Sequence, residues 1–297
     1  MTPTDHEQIQ NNSNSPQGEG QIITNLAERE NIEIDLLLEG VHRLYGYDFR
    51  NYARASLTRR IWHHVHAENL KSVSALQERV LHDRSCFERF VQNLSIPVTE
   101  MFRDPQLFRM FREKVIPLLR TYPYIRIWHA GCSTGEEVYS MAILLHEEGL
   151  LDKARIYATD MNNRSLQQAR EGVFGIDRMQ LYTKNYLEAG GTRSFSEYYT
   201  AKYQSVIFQP FLRKHIIFAE HNLATDRSFN EFNVILCRNV MIYFDDKLRE
   251  RVHGLFHESL SRFGILVLGS KESMQFTGYS DSYEPLDRLE KVYRKIN

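Results

Sequence analysis

The stretch from Ile125 to Ile143 constrains the fold more than any other part of the chain. An apolar run, Ile125-Arg-Ile-Trp-His-Ala130, has strand composition and passes through Gly131-Cys-Ser-Thr-Gly135 into a helical pattern that opens on Glu136 and Glu137. Glycines at such a junction let the chain turn tightly and let a ligand approach the main chain. Further β-rich runs follow at 155–159, 216–219, 232–237 and 265–268, with helical segments between them. The last helix, starting at Asp245 or Asp246, turns Leu248, Val252, Leu255, Phe256 and Leu260 inward. Such alternation predicts a Rossmann-like α/β domain, a mostly parallel sheet with helices on its faces.

Upstream the periodicity is purely helical. Residues 1–27 are rich in Asn, Gln, Ser and Gly, hold too little apolar surface to offset the entropy of ordering, and are expected to form a flexible tail. Between 28 and 94 four apolar stripes recur: Ile34, Leu37, Leu38, Val41 and Leu44, then Leu57, Ile61 and Val65, then Val73, Leu76 and Val80, then Phe87, Phe90, Val91 and Leu94. They predict a small all-α domain. A linker at 95–105 feeds the second domain, 106–297. There Asp104 stands at an N-cap position with Pro105 in the first turn, and Leu107, Phe108, Phe111 and Val115 face inward. Residues 175–214 break the strand–helix alternation with a Gly190-Gly191 turn, clustered tyrosines and no clear crossover helix. They read as an inserted small subdomain.

Bulk properties exclude several function classes. A formal charge of -1 provides no global field for nucleic acid or an anionic membrane. No run approaches the roughly 20 apolar residues of a membrane span, and a polar opening stands where a signal peptide carries its apolar segment, so a cytoplasmic protein is expected. Cys86, Cys132 and Cys237 are widely separated. Lacking the paired spacing of zinc sites or disulfide frameworks, they are expected to be reduced and neither ligands nor nucleophiles, and no metal is expected.

The second strand ends in Asp160, about one βαβ unit beyond the glycine loop. A carboxylate there can accept hydrogen bonds from both hydroxyls of a ribose. Dinucleotide enzymes share that logic, but they favour a third glycine that brings a helix N-terminus against a pyrophosphate. Here Glu136 and Glu137 occupy that terminus. Two carboxylates repel a pyrophosphate and suit the ammonium and sulfonium of S-adenosylmethionine; the plainer reading leaves them as partners of the helix dipole. The strand at 232–237 delivers Arg238, Asn239 and Tyr243 to the same sheet edge, where the strand before it delivers His221, Asn222 and Leu223.

Three segments together resemble the CheR-type chemoreceptor glutamate methyltransferases: Val98-Thr-Glu-Met-Phe-Arg-Asp104, Gly131-Cys-Ser-Thr-Gly-Glu-Glu-Val-Tyr-Ser140 and Cys237-Arg-Asn-Val-Met-Ile-Tyr-Phe244. The likeness runs from about Ile34 to the C-terminus. It implies an S-adenosylmethionine-dependent methyltransferase that esterifies glutamate side chains on the cytoplasmic helical bundle of chemoreceptors, releasing S-adenosylhomocysteine. By this resemblance Thr99 and Arg103 hold the methionine end of the cofactor beside Gly131, and Glu137 takes its amino group. Asp160 binds the ribose, Asn222 and Leu223 flank the adenine, and Arg238 and Asn239 complete the pocket. Arg103 and Tyr243 border the transferring methyl as the catalytic pair. A glutamate of reference pKa about 4.3 is already an anion at neutral pH, so the reaction needs alignment rather than a general base.

On the helical domain Arg59, Arg60, His63 and His66 lie off the Leu57 stripe as a basic face, suited either to ordinary solvation or to docking acidic receptor helices. A monomer is expected. In some members of the family the subdomain at 175–214 grips a receptor tether, and the tyrosine-rich surroundings here leave that open. Three competing readings differ at the site. A nicotinamide oxidoreductase needs a pyrophosphate-friendly loop. A nucleic-acid amino-methylase needs an Asn/Asp-Pro-Pro-aromatic strand end in place of Arg238-Asn239-Val240. A noncatalytic adenosylmethionine-binding module needs a broken pocket, and a related methyltransferase acting on another signalling protein shares every motif.

Overall fold

The computed structural model describes residues 17–94, 99–275 and 277–297. Four helices come first: α1 (Gln17–Tyr45), α2 (Arg54–Ala67), α3 (Val73–His82) and α4 (Arg84–Leu94). Their stripes close one apolar core. Leu44 departs from it, at 57% exposure. Tyr45 takes its place, stacked 3.6 Å from Phe87 between ring centroids and donating its hydroxyl to the Val80 carbonyl at 2.9 Å. Tyr45 follows Val41 by one i,i+4 step and stays on the packed face, whereas Leu44 has rotated off it. The first helix also reaches back to Gln17, into the stretch expected to be a tail. Once a helix is nucleated, each further turn adds bonds at little cost. Residues 1–16, and residues 95–98 of the expected linker, lie outside the described residues.

Beyond the linker, Met101 and Phe102 are buried. Phe102 N donates to Ser140 Oγ at 2.8 Å and Asn185 Nδ2 donates to the Met101 carbonyl at 3.1 Å, so residues 99–104 are pinned against the second half of the chain. Helix α5 (Pro105–Met110) runs through a π-helical turn (Phe111–Val115) into α6 (Ile116–Leu119), with Leu107, Phe108, Phe111 and Val115 buried as expected. Asp104 stands at the N-cap position, but its side chain caps nothing. Its carboxylate is drawn instead to Arg238.

The sheet is built from β1 (Ile125–Ala130), α7 (Glu136–Glu147), β2 (Ala154–Asp160), α8 (Asn163–Glu171), then β3 (Val173–Gly175), α9 (Met179–Glu188), β4 (Tyr199–Lys202), β5 (Ser205–Phe208), α10 (Pro210–Arg213) and β6 (Ile216–Glu220). It closes with β7 (Phe232–Cys237), α11 (Asp246–Ser259), β8 (Leu260–Leu268), β9 (Tyr283–Asp287) and β10 (Val292–Lys295). Seven strands pair in the order β6-β2-β1-β7-β8-β10-β9; the first five run parallel, and β10 and β9 are antiparallel. Strand order reverses on either side of β1, so a crevice opens beyond the carboxyl ends of β1 and β7, where ligands of open α/β sheets bind. Asp245 caps α11 by accepting from Leu248 N at 2.8 Å.

Strands β3, β5 and β4 form a separate antiparallel sheet. The stretch expected to lack a clear helix holds α9, which turns Met179, Tyr182 and Tyr186 inward as a helical stripe, while Tyr198 is buried from the 3-10 turn beyond it. Glu147 on α7 fastens it down, accepting from the Tyr198 hydroxyl at 3.0 Å and Thr192 N at 3.1 Å and bonding Tyr186 and Arg112. Among the described residues no helix is long and apolar enough to cross a membrane.

Candidate active site

Where β1 ends, Gly131 adopts φ +80°, and a Cβ there would lie 2.5 Å from a Val240 methyl, so only glycine lets the β1 and β7 loops approach this closely. The amides of Gly131 and Cys132 both donate to the Thr159 carbonyl, at 2.8 and 2.9 Å, tying the loop to the end of β2. Ser133, at φ 51°, turns its own amide onto Asp160 Oδ2 at 2.8 Å, and Asn162 N takes Oδ1 at 2.9 Å. Burial pushes the Asp160 carboxyl above its ordinary value. Each carboxylate oxygen has about two acceptor sites, so Asp160 keeps capacity for hydroxyl donors on the cavity it lines.

The two acids of α7 part company. Successive helical residues point about 100° apart, and only Glu137 lines the cavity. Its Oε1 meets His129 Nδ1 at 2.9 Å and its Oε2 accepts from Arg238 Nη1 at 2.7 Å, while Arg238 also binds Asp104. Burial alone would raise this carboxyl; Arg238 and His129 outweigh it and hold Glu137 down at about 2. The expectation that both acids greet a cationic ligand is therefore corrected for Glu136. It is buried, 6% exposed, and accepts from Thr134 Oγ1 at 2.6 Å.

Burial pushes Glu136 up to about 7. Its folded pKa lies above the ordinary 4.5, so the folded chain binds more protons than the unfolded one, and stability falls as pH rises between those values. Glu136→Gln keeps the shape and removes the charge. It is expected to raise the melting temperature at pH 8 by a few degrees, an effect of about 1–2 kcal/mol, and to leave it unchanged at pH 4. Thermal unfolding of both proteins across that range checks this; a variant less stable at pH 8 contradicts it.

At the other end of the cavity stand Asn222 and Leu223, after β6, with Met161 and His221. Asn222 Oδ1 accepts from Ala224 N at 2.9 Å, which fixes the side chain and turns its amide nitrogen to other acceptors. Beyond β7, Asn239 is held at φ 61°. Glu272 accepts from the amides of Asn239, Val240, Met241 and Gly269 at 3.1, 3.0, 2.8 and 2.6 Å, making the turn rigid. Thr99, Arg103, Gly131, Glu137, Asp160, Asn222, Leu223, Arg238, Asn239 and Tyr243 all line this single cavity, with Phe49 and Tyr52 of the helical half closing one side. Left-handed conformations at Phe102, Asp104, Ser133 and Asn239 cluster around it, as strained backbone does at functional sites.

Sequence reasoning missed several contributors, Met161, His129, Glu272, Phe49 and Tyr52 among them. His129 carried a signal, a histidine inside an apolar strand; Glu272, Phe49 and Tyr52 carried none, since only folding brings them near. One sequence-predicted feature is not where it was expected. Arg60 belongs to no exposed basic face: it is 9% exposed, leaving Arg59, His63 and His66 on the outside of α2. Residue 60 follows Leu57 by three positions and precedes His64 by four, and that spacing puts all three on the packed side of α2.

The ligand chemistry follows from the wall. Two carboxylates, Glu137 and Asp160, and two guanidiniums, Arg103 and Arg238, face one cavity. That balance fits a ligand carrying a ribose together with an amino-acid end of both charge signs, and the Asp160 acceptors fit the ribose. Cys132 and Cys237 are buried, which pushes both thiols far up and leaves them protonated rather than nucleophilic.

Comparison with known proteins agrees. The model of the CheR methyltransferase SAM binding domain matches residues 97–287, and that of the CheR methyltransferase all-alpha domain matches residues 32–95. The Cher3 protein of Pseudomonas putida is 55% identical over 264 residues, 89% of this chain and 97% of its own length. A chemotaxis protein methyltransferase of Listeria innocua is 29% identical over 241 residues, 79% of this chain and 87% of that one. Among solved structures, the N-methyltransferase NodS of Bradyrhizobium japonicum aligns with 75% of this chain and 97% of its own at 12% identity and a TM-score of 0.39.

Proposed function

Because this chain belongs to the CheR methyltransferase family, we propose that it methylates glutamate side chains on the cytoplasmic helical bundle of chemoreceptors, forming glutamate methyl esters. Its cofactor is S-adenosylmethionine. The observation that carries the acceptor assignment is a cavity rich in positioning groups whose lining thiol, Cys132, is buried and protonated. A carboxylate acceptor, already ionised, asks for nothing more.

Bound S-adenosylmethionine supplies an electrophilic methyl on a sulfonium and departs as a neutral thioether. The residues then divide as follows. Asp160 accepts from the ribose hydroxyls, with Leu223 and Asn222 beside the adenine. Glu137 receives the ammonium, its carboxylate kept ionised by Arg238 and His129, and Thr99 and Arg103 hold the rest of the methionine end. Asn239 and Gly131 shape the floor. Arg103 and Tyr243 align the incoming glutamate oxygen with the methyl and exclude water, which lowers the barrier through proximity. Arg59 and His63, exposed on α2, dock the acidic receptor helices. A monomeric protein acting in the cytoplasm, divided into a helical unit at 28–94, a linker at 95–105 and a catalytic domain at 106–297 with a subdomain at 175–214, belongs to the same proposal.

Incubation with methyl-labelled S-adenosylmethionine and cytoplasmic chemoreceptor fragments tests it. Label that is released as methanol in mild alkali and maps to glutamates is the expected result. Alkali-stable label, or none on any receptor fragment, overturns the acceptor assignment.

A further inference from the structure

Away from the cavity, the end of α2 and the start of α4 bring three side chains of metal-ligating type together inside the helical unit. His64 and Glu68 are four residues apart, so both leave α2 on one side. Cys86 arrives from the first turn of α4. His64 Nε2, a Glu68 carboxylate oxygen and Cys86 Sγ all lie within 4.8 Å of one another, and His64 Nε2 stands 4.0 Å from Glu68 Oε1. Cysteine spacing along the chain gave no reason to expect a ligand at Cys86; packing of α4 on α2 supplies the other two.

The histidine is the group that asks for a ligand. Its side chain is 1% exposed, and Nε2 has no hydrogen-bond partner among the described residues. Burial holds the ring below its ordinary value against the pull of Glu68 and of the Cys86 carbonyl, which stands near the ring without bonding Nε2. The imidazole is therefore neutral, the form that binds metals. On its other edge Nδ1 meets the side-chain amide of Asn93. An amide offers a donor or, turned over, an acceptor. With Oδ1 forward, Asn93 takes the Nδ1 proton and leaves the Nε2 lone pair facing Glu68 and Cys86, as outer partners of metal-bound histidines do.

Glu68 is oriented in the same way. Its Oε1 accepts from Arg89 Nε at 2.7 Å and its Oε2 from Nη2 at 3.0 Å, and this pairing keeps the carboxyl below its ordinary value. Each carboxylate oxygen has about two acceptor sites, so Oε1 can keep Arg89 and still take a cation. Burial pushes the Cys86 thiol up, while the helix N-terminus favours its thiolate. Metal binding would displace that proton to solvent. One nitrogen, one oxygen and one sulfur select a borderline divalent ion such as zinc over magnesium or calcium, which take oxygen alone. Zinc bonds of about 2.0–2.3 Å set tetrahedral ligand atoms about 3.3–3.8 Å apart, so side-chain shifts of about 1 Å close the shell.

We propose that His64, Glu68 and Cys86 form a zinc site that clamps α2 to α4, with Asn93 and Arg89 orienting two of the ligands and water completing the tetrahedron.

The full chain, treated with a chelator and freed of it, is titrated with zinc alone and then with cobalt(II) alone. One saturable equivalent of zinc is expected, with a thiolate-to-cobalt charge-transfer band in the cobalt form. Cys86→Ser should abolish the band and weaken zinc binding by about 100-fold or more, beyond the roughly 10-fold expected when Asn93→Ala removes an outer partner. Zinc should also raise the melting temperature of the wild type and leave that of Cys86→Ser unmoved. X-ray absorption of the wild-type zinc protein needs no variant. It should show one sulfur at about 2.3 Å beside nitrogen and oxygen at about 2.0–2.1 Å. A shell without sulfur, a cobalt band that survives in Cys86→Ser, or no saturable binding overturns the site. Neither cofactor nor receptor enters these measurements, so their outcome is independent of the methyl-transfer reading.

Discussion

Asp160→Ala is expected to weaken S-adenosylhomocysteine binding by about 100-fold or more, because two hydrogen bonds to a charged acceptor contribute roughly 1.5–3 kcal/mol each. The carboxylate holds the Ser133 and Asn162 amides at 2.8 and 2.9 Å. Alanine therefore also loosens the glycine loop, and Asp160→Asn, which keeps one acceptor oxygen, serves as the intermediate case. Calorimetry with the full ligand and with its 2′,3′-dideoxy analogue separates the two effects. The variants should differ from wild type toward the full ligand and scarcely toward the analogue. Wild-type affinity in Asp160→Ala would sink the ribose assignment.

The larger effect on folding is expected from Arg238→Met. Arg238 is only 4% exposed and joins Glu137 to Asp104. Removing one member of a buried pair leaves the other charge uncompensated, at a cost of about 3–5 kcal/mol. The pH dependence should change sign with it. In the wild type Glu137 sits at about 2 against an ordinary 4.5, so its contribution is complete above 4.5 and is lost as pH falls toward 2. Without Arg238, burial dominates and lifts the folded pKa above 4.5, so the variant should gain stability as pH falls from 8 toward 5. Arg238→Met/Glu137→Gln, which has no stranded charge, should regain much of the loss and flatten that slope. Melting curves of the cycle at pH 5 and pH 8 decide the matter; additive losses would show that the pair is not coupled.

Much of the site was legible because its residues follow strand ends directly. In an open parallel sheet every carboxyl end points to one edge, so Gly131 after β1, Asp160 at the end of β2, Asn222 after β6 and Arg238 after β7 had to meet once the strands were recognised. Glu136 and Glu137 show where one dimension runs out. They are neighbours in sequence, yet helical rotation sends one to the cavity and the other into a buried pocket, where it sits near 7 rather than near 2.

The sequence by itself determined the α/β alternation, the helical stripes and the residues set at strand ends, because those depend on local periodicity and on steric rules of a few residues' reach. Tertiary structure alone decided the partnerships. Glu272 lies 31 to 33 residues beyond the turn it holds, and Arg60 reaches Tyr243 from the helical unit. Asp104 gave up its capping role for Arg238 because a cation across the fold, 134 positions away, attracts a carboxylate more strongly than a helix amide does. Charge pairing acts through space, and nothing in local spacing records which distant group will be there.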